Sequence, residues 1–228
     1  MVTHASRSEV VSAAQRVCGS NNGFVYAIEP GAQATSPSMI SSTLSYQSPN
    51  LGRMIMGLDV GELDHGTVDG DQEIACGGWI DTGDFVDWTQ GNLARNRAHL
   101  YLLDPDPSQG KFIVTTLDGD DLLGTGKGLG SGIFGVKIDD VDGDGTNEIW
   151  CCDAVGHIYL FRYLASLVPP WAVGWNCVYR SGDLGIYPGF YNNLFPIKGG
   201  VDGRQTVKLA VVSPGYVMAF GVDPSVLP

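Results

Sequence analysis

Residues 140–148 read DVDGDGTNE, which sets the side-chain oxygens of Asp140, Asp142, Asp144 and Glu148 at positions 1, 3, 5 and 9 of one short segment. Position 7, Thr146, adds a backbone carbonyl. Oxygen-only donors, most of them charged, suit a hard cation with six or more ligands, which means Ca²⁺ ahead of Mg²⁺ and excludes Zn²⁺ and copper. Gly143 and Gly145 permit the tight turns that wrap so short a segment round one ion. The bland alternative is an acidic hairpin turn. Against it, five carboxylates between 139 and 148 would repel one another without a cation.

Such a loop has to be held by the strands on either side of it. Apolar runs bounded by Gly, Asp or Pro predict strand a over 132–139, b over 148–152, c over 157–162 and d over 175–179. The same grammar recurs. MGLDVGELDHGTVDGDQEIACGGW from Met56, FGVKIDDVDGDGTNEIWCCD from Phe134 and LFPIKGGVDGRQTVKLAVVSP from Leu194 are each followed by a further strand, HLYLLDP, HIYLFRY or YVMAFGVDP. RVCGSNNGFVYAIEP from Arg16 fits the second half of a unit. YQSPNLG from Tyr46 and YRSGDLG from Tyr179 stand 133 residues apart. A period of about 66 residues with four strands per unit and no helical periodicity is the signature of β-propeller blades. The expected fold is therefore all-β, a β-propeller of four-stranded antiparallel blades. About three and a half blades are expected: a partial blade over 1–50, then blades over 51–117, 132–181 and 190–228.

D-x-D-x-D-G also opens an EF-hand, but that loop needs Glu at position 12 and an exiting helix, whereas here position 12 is Cys151 and the exit is an apolar strand. Phe134-Gly135, the D-x-D-x-D-G-x-x-E core and the strand after it instead resemble the FG-GAP repeat of integrin α-subunit propellers and of related bacterial and archaeal propellers. That resemblance implies a calcium-stabilised propeller acting in adhesion or recognition.

The other copies differ in charge. In the unit from Met56, Glu62, Asp64 and Glu73 align with the ligands, and a three-residue insertion leaves Asp69 or Asp71 to complete an irregular site. In the unit from Leu194, Arg204 and Lys208 stand where acidic ligands would be, so that loop is expected to hold no metal. The longest connection is the b–c insertion at 79–98, WIDTGDFVDWTQGNLARNRA. Loops of this length in compact domains are usually functional or disordered. Its Trp79, Asp81, Asp84, Trp88, Arg95 and Arg97 suit a carbohydrate or a protein side chain, the alternative being that Trp88 pins the loop to its own blade. The Gly-rich stretch at 118–131 lacks the parts of a phosphate loop, because Lys127 is followed by Gly128, and reads as a linker.

Composition excludes several functions. A net charge of −12 with 13 Lys and Arg argues against nucleic acid. No stretch approaches the roughly 20 apolar residues of a membrane helix, since Arg162 interrupts the best candidate, so no membrane insertion is expected. Cys18, Cys76 and Cys151 fall at one position of the repeat and read as small strand residues, with Cys152 and Cys177 the better-placed pair if a disulfide forms. No motif sets a nucleophile beside His4, His65, His99 or His157, so no catalytic residue is assigned. The expected function is a non-enzymatic recognition module for a protein or glycan, placed outside the cell or on its surface, where calcium near a millimolar keeps modest sites filled. The competing readings are a fragment of a carbohydrate-active propeller, since some polysaccharide lyases carry similar loops, and a self-assembling unit. In the last, two copies complete one ring of about seven blades as a homodimer.

Overall fold

The computed structural model describes residues 16–20, 22–30, 42–52, 54–63, 72–79, 99–117, 129, 132–140, 144–154, 156–168, 173–182, 184, 194–197, 208–213 and 216–221. Among them the chain forms fourteen strands and no helix. All pairing is antiparallel between chain neighbours, giving four sheets. The first comprises β1 (Arg16–Gly19), β2 (Val25–Pro30) and β3 (Ser42–Gln47). The second holds β4 (Met54–Gly61), β5 (Glu73–Trp79), β6 (Leu100–Asp106) and β7 (Lys111–Leu117). The third holds β8 (Ile133–Asp139), β9 (Glu148–Asp153), β10 (Ile158–Leu164) and β11 (Gly174–Arg180). The fourth holds β12 (Leu194–Ile197), β13 (Lys208–Ser213) and β14 (Tyr216–Gly221).

The strands expected at 132–179 coincide with β8–β11, and the repeat holds to the level of single residue pairs. In the second sheet Gly61 faces Glu73 and a bulge falls between Ile55 and Gly57; in the third, Asp139 faces Glu148 and the bulge falls between Ile133 and Gly135. The shared Tyr-x-Ser phrases end β3 and β11, and their serines fasten strand d to strand c. Val25 N–H donates to Ser48 Oγ and Ser48 N–H to the Val25 carbonyl, each at 2.9 Å; Ile158 and Ser181 repeat both bonds at 2.9 Å. Leu51 N–H then donates to the Gly23 carbonyl and Leu184 N–H to that of Gly156. These bonds satisfy backbone groups that the hairpin ladder leaves over at the strand ends.

The sheets stack face to face in chain order. β1 lies beside β4, β4 and β5 beside β8, and β12 beside β8 and β9, while β3 lies along β7. Period-2 alternation gives the second sheet two apolar faces. Ile74, Cys76, Tyr101 and Leu103 meet Val25, Ala27 and Tyr46 of the first sheet. Ala75, Leu100, Leu102 and Leu117 meet Ile133, Val136, Tyr159 and Phe161 of the third. Leu129, within the stretch read as a linker, is fully buried in that second seam. Glycine lets the sheets approach, since a Cβ at Gly77 would lie 2.5 Å from Cβ of Ile133. No closed ring is seen among the described residues, and they include no helix long and apolar enough to cross a membrane.

Cys18, Cys76 and Cys151 occupy one register position, opposite Tyr26, Tyr101 and Tyr159 respectively. All five cysteines are free thiols. The pairing of Cys152 with Cys177 does not occur, because Cys177 packs with Cys151 in the second seam and alternation turns the adjacent Cys152 to the opposite face. Burial raises the thiols of Cys76 and Cys151 far above their ordinary value and pushes those of Cys152 and Cys177 up to about 12. Thiolate is the reactive form. Native protein at pH 8 is therefore expected to release one equivalent of chromophore from a disulfide reagent, through the exposed Cys18, and five after denaturation. Rapid reaction of a second thiol in the native state would contradict this packing.

Candidate metal centre

The acidic loop joins β8 to β9, the hairpin at one edge of the third sheet, and the hairpin register decides what stands beneath it. Glu148 opens β9 opposite Asp139, the last residue of β8, and is fully buried; Asp139 is 8% exposed. Two carboxyl groups so placed need strong compensation. Above them the loop turns on its own donors. Gly145, at φ +91°, donates its N–H to Asp140 Oδ2 at 3.0 Å, a backbone conformation that glycine adopts without strain. Thr146 donates its N–H to Asp144 Oδ1 at 2.8 Å and its hydroxyl to the same oxygen.

A cation already reaches this cluster from strand c. Arg162 on β10 donates from Nη2 to Asp144 Oδ2, and its Nε stands 3.6 Å from Glu148 Oε1. Burial tends to raise the Asp144 carboxyl, but the Thr146 hydrogen bonds and the Arg162 charge outweigh it and hold the group below the usual carboxylate range. The interactions of ionised Asp144 are therefore in place above the ordinary Asp value and are lost as pH falls through the lowered one.

The loop is also tied to the preceding sheet. Asn147 Nδ2 donates to the Glu62 carbonyl at 2.8 Å, while Asp59 of β4 accepts from Ile138 N–H at 2.9 Å and pairs with Lys137 Nζ at 3.1 Å. The hairpin of the second sheet follows the same plan. Glu73 is 2% exposed and accepts the N–H of Leu63, ten residues earlier.

Of the ligands expected from sequence, the structure brings Asp140, Asp144, Thr146 and Glu148 to one hairpin, and Glu62 and Glu73 to its counterpart. Asp142, Asp64, Asp69 and Asp71 lie outside the described residues. Among those described, no group of three His, Cys, Asp or Glu side chains is close enough to hold a metal by itself. The donor chemistry nevertheless fits a hard divalent cation, being entirely oxygen with a fully buried carboxyl at its base. The expected recognition residues Asp81, Asp84, Trp88, Arg95 and Arg97 and the side chain of Trp79 also lie outside the described residues, as does the loop expected to be metal-free.

Sequence reasoning put Arg162 at the end of strand c and as a break in an apolar run but gave it no part in the acidic loop. The available signal was a cation on the strand two away from strand a. It also missed Asp153, which is fully buried at the end of β9. Asp153 accepts from His157 N–H at 2.9 Å and from Tyr159 Oη at 2.8 Å, and its Oδ2 stands 2.9 Å from His157 Nδ1. Arg180 Nη2 faces His157 Nε2 at 3.3 Å, so both ring nitrogens of His157 are engaged at the b–c turn. This arrangement holds the ends of three strands together.

Comparison with protein-family models and with curated proteins finds no match to this sequence.

Proposed function

We propose that this chain is a calcium-stabilised, FG-GAP-like β-propeller segment that serves as a non-enzymatic recognition module for a protein or glycan, outside the cell or on its surface. One observation carries the reading. Two successive a–b hairpins share a register and a bulge, and each seats a buried glutamate, Glu73 or Glu148, directly after an acidic stretch of sequence. Burying a carboxylate twice at the same place is costly unless a cation or strong donors face it. The face-to-face stacking of four-stranded meanders, first strand against first strand, is how propeller blades pack. The long b–c connection leaves β5 at the opposite end of the sheet from the acidic loops, so an ion at the loops and a ligand at the insertion would occupy separate ends of the blades.

Equilibrium dialysis against radioactive calcium tests the ion. Asp142→Ala together with Asp144→Ala is expected to remove one bound ion per chain, whereas an unchanged count would defeat the assignment. A glycan and protein-ligand array then tests recognition. Trp88→Ala and Arg95→Ala are expected to abolish any signal with little change in stability, because aromatic and Arg side chains are the usual anchors. Turnover of a bound polymer would replace this reading with an enzymatic one.

A further inference from the structure

We propose that Arg162 is the resident counter-ion of the acidic loop, and that a divalent cation entering the loop must displace its guanidinium, so that Arg162 sets the loop's affinity for the ion. The inference rests on the calcium reading above and adds a residue from outside the loop to it. Arg162 belongs to β10, two strands away from β8, yet its guanidinium touches Asp144 and lies 3.6 Å from Glu148, the expected ligands at positions 5 and 9.

The geometry makes the guanidinium a competitor. A planar fork with five N–H donors can span two carboxylates, as a divalent ion would. The Arg162 side chain is only 16% exposed, so it is packed in place; the Asp144 side chain is 40% exposed, which leaves water on the outer side as the way out. Two cations sharing the same oxygens at contact distance repel strongly in a partly buried site. One of them has to leave.

The second sheet supplies an internal comparison. Ile74 faces Leu103 as Ile149 faces Phe161, so the next position along strand c, held by Arg162 in the third sheet, is Asp104 in the second. The loop with the more regular sequence therefore carries the built-in competitor, and its counterpart has a carboxylate at that position.

The test is calorimetric titration of CaCl₂ into chelator-stripped protein, following the class of site that Asp142→Ala with Asp144→Ala abolishes. Arg162→Met is expected to tighten that class by about tenfold, the scale of one hydrogen bond between charged groups that no longer has to be broken. In excess chelator the same variant is expected to melt below wild type, and saturating calcium is expected to close the gap. Arg162→Lys keeps the charge but loses the fork and should fall between the two. If Arg162→Met lacks a cooperative melt, the lysine variant carries the comparison. Equal or weaker calcium binding by the variants would overturn the inference while leaving the loop an ion site. No calcium binding by wild type or variant would overturn the loop reading and the inference with it.

Discussion

Gly77→Val is expected to lower the stability of the folded chain by about 3 kcal/mol, the upper part of the usual range for overpacking a core. A Cβ at residue 77 would lie 2.5 Å from Cβ and 2.7 Å from Cγ2 of Ile133. Ile133 cannot retreat, because it is fully buried at the start of β8 within the seam between the second and third sheets. The clash therefore pushes on two sheets at once. At about 2–4 °C per kcal/mol for a chain of this size, the melting temperature should fall by about 6–12 °C. Differential scanning calorimetry reads it directly. Ile133→Ala in the same background frees the space and should recover part of the loss, a coupling that additive mutations would lack. A valine variant that melts within about 2 °C of wild type would mean that the sheets are not held this closely.

Transfer from millimolar calcium to excess chelator is expected to lower the melting temperature by about 5–10 °C, and Glu148→Gln is expected to remove that difference. An ion that binds only the folded chain stabilises it by about 2.7 kcal/mol at a hundredfold excess over its dissociation constant. Glu148 is the choice for the variant because it is fully buried at the base of the loop, where the amide keeps the volume and discards the charge. Replacement at the rim would be less decisive, since the Asp144 side chain is 40% exposed and bonded to Arg162. Two thermal scans per protein settle the matter. Wild type that melts alike in calcium and in chelator carries no structural ion, and a calcium response that survives in Glu148→Gln belongs to another loop.

Much of the architecture was legible because its determinants are local. Alternation of apolar and polar residues marks strands, Gly and Asp runs mark the turns between them, and repetition of both marks the units. The Tyr-x-Ser phrases were legible as repeats, though not as clamps. That Ser48 and Ser181 reach back 23 residues to Val25 and Ile158 depends on antiparallel pairing that brings strand d onto strand c. The acidic loop was legible in the same local way as a turn between two strands, since its Gly and Asp run lies between them. Its connection to Glu62 of the preceding hairpin was not, because 85 residues separate Asn147 from that carbonyl.

Cys18, Cys76 and Cys151 separate what the sequence by itself determined from what only the tertiary structure decided. Their common position in the repeat determined that each would sit in a strand, and each does, with pairing then setting a tyrosine opposite every one. Their chemistry was decided elsewhere. Cys76 and Cys151 face a preceding sheet and are buried, while Cys18, in the first of the four sheets, is exposed. Arg162 follows the same logic, for its place in strand c was readable, but its reach to Asp144 and Glu148 arises only when β9 and β10 pair. The physical reason is range: backbone periodicity is encoded over a few neighbouring residues, whereas burial and charge pairing are set by whatever surface the fold lays across them.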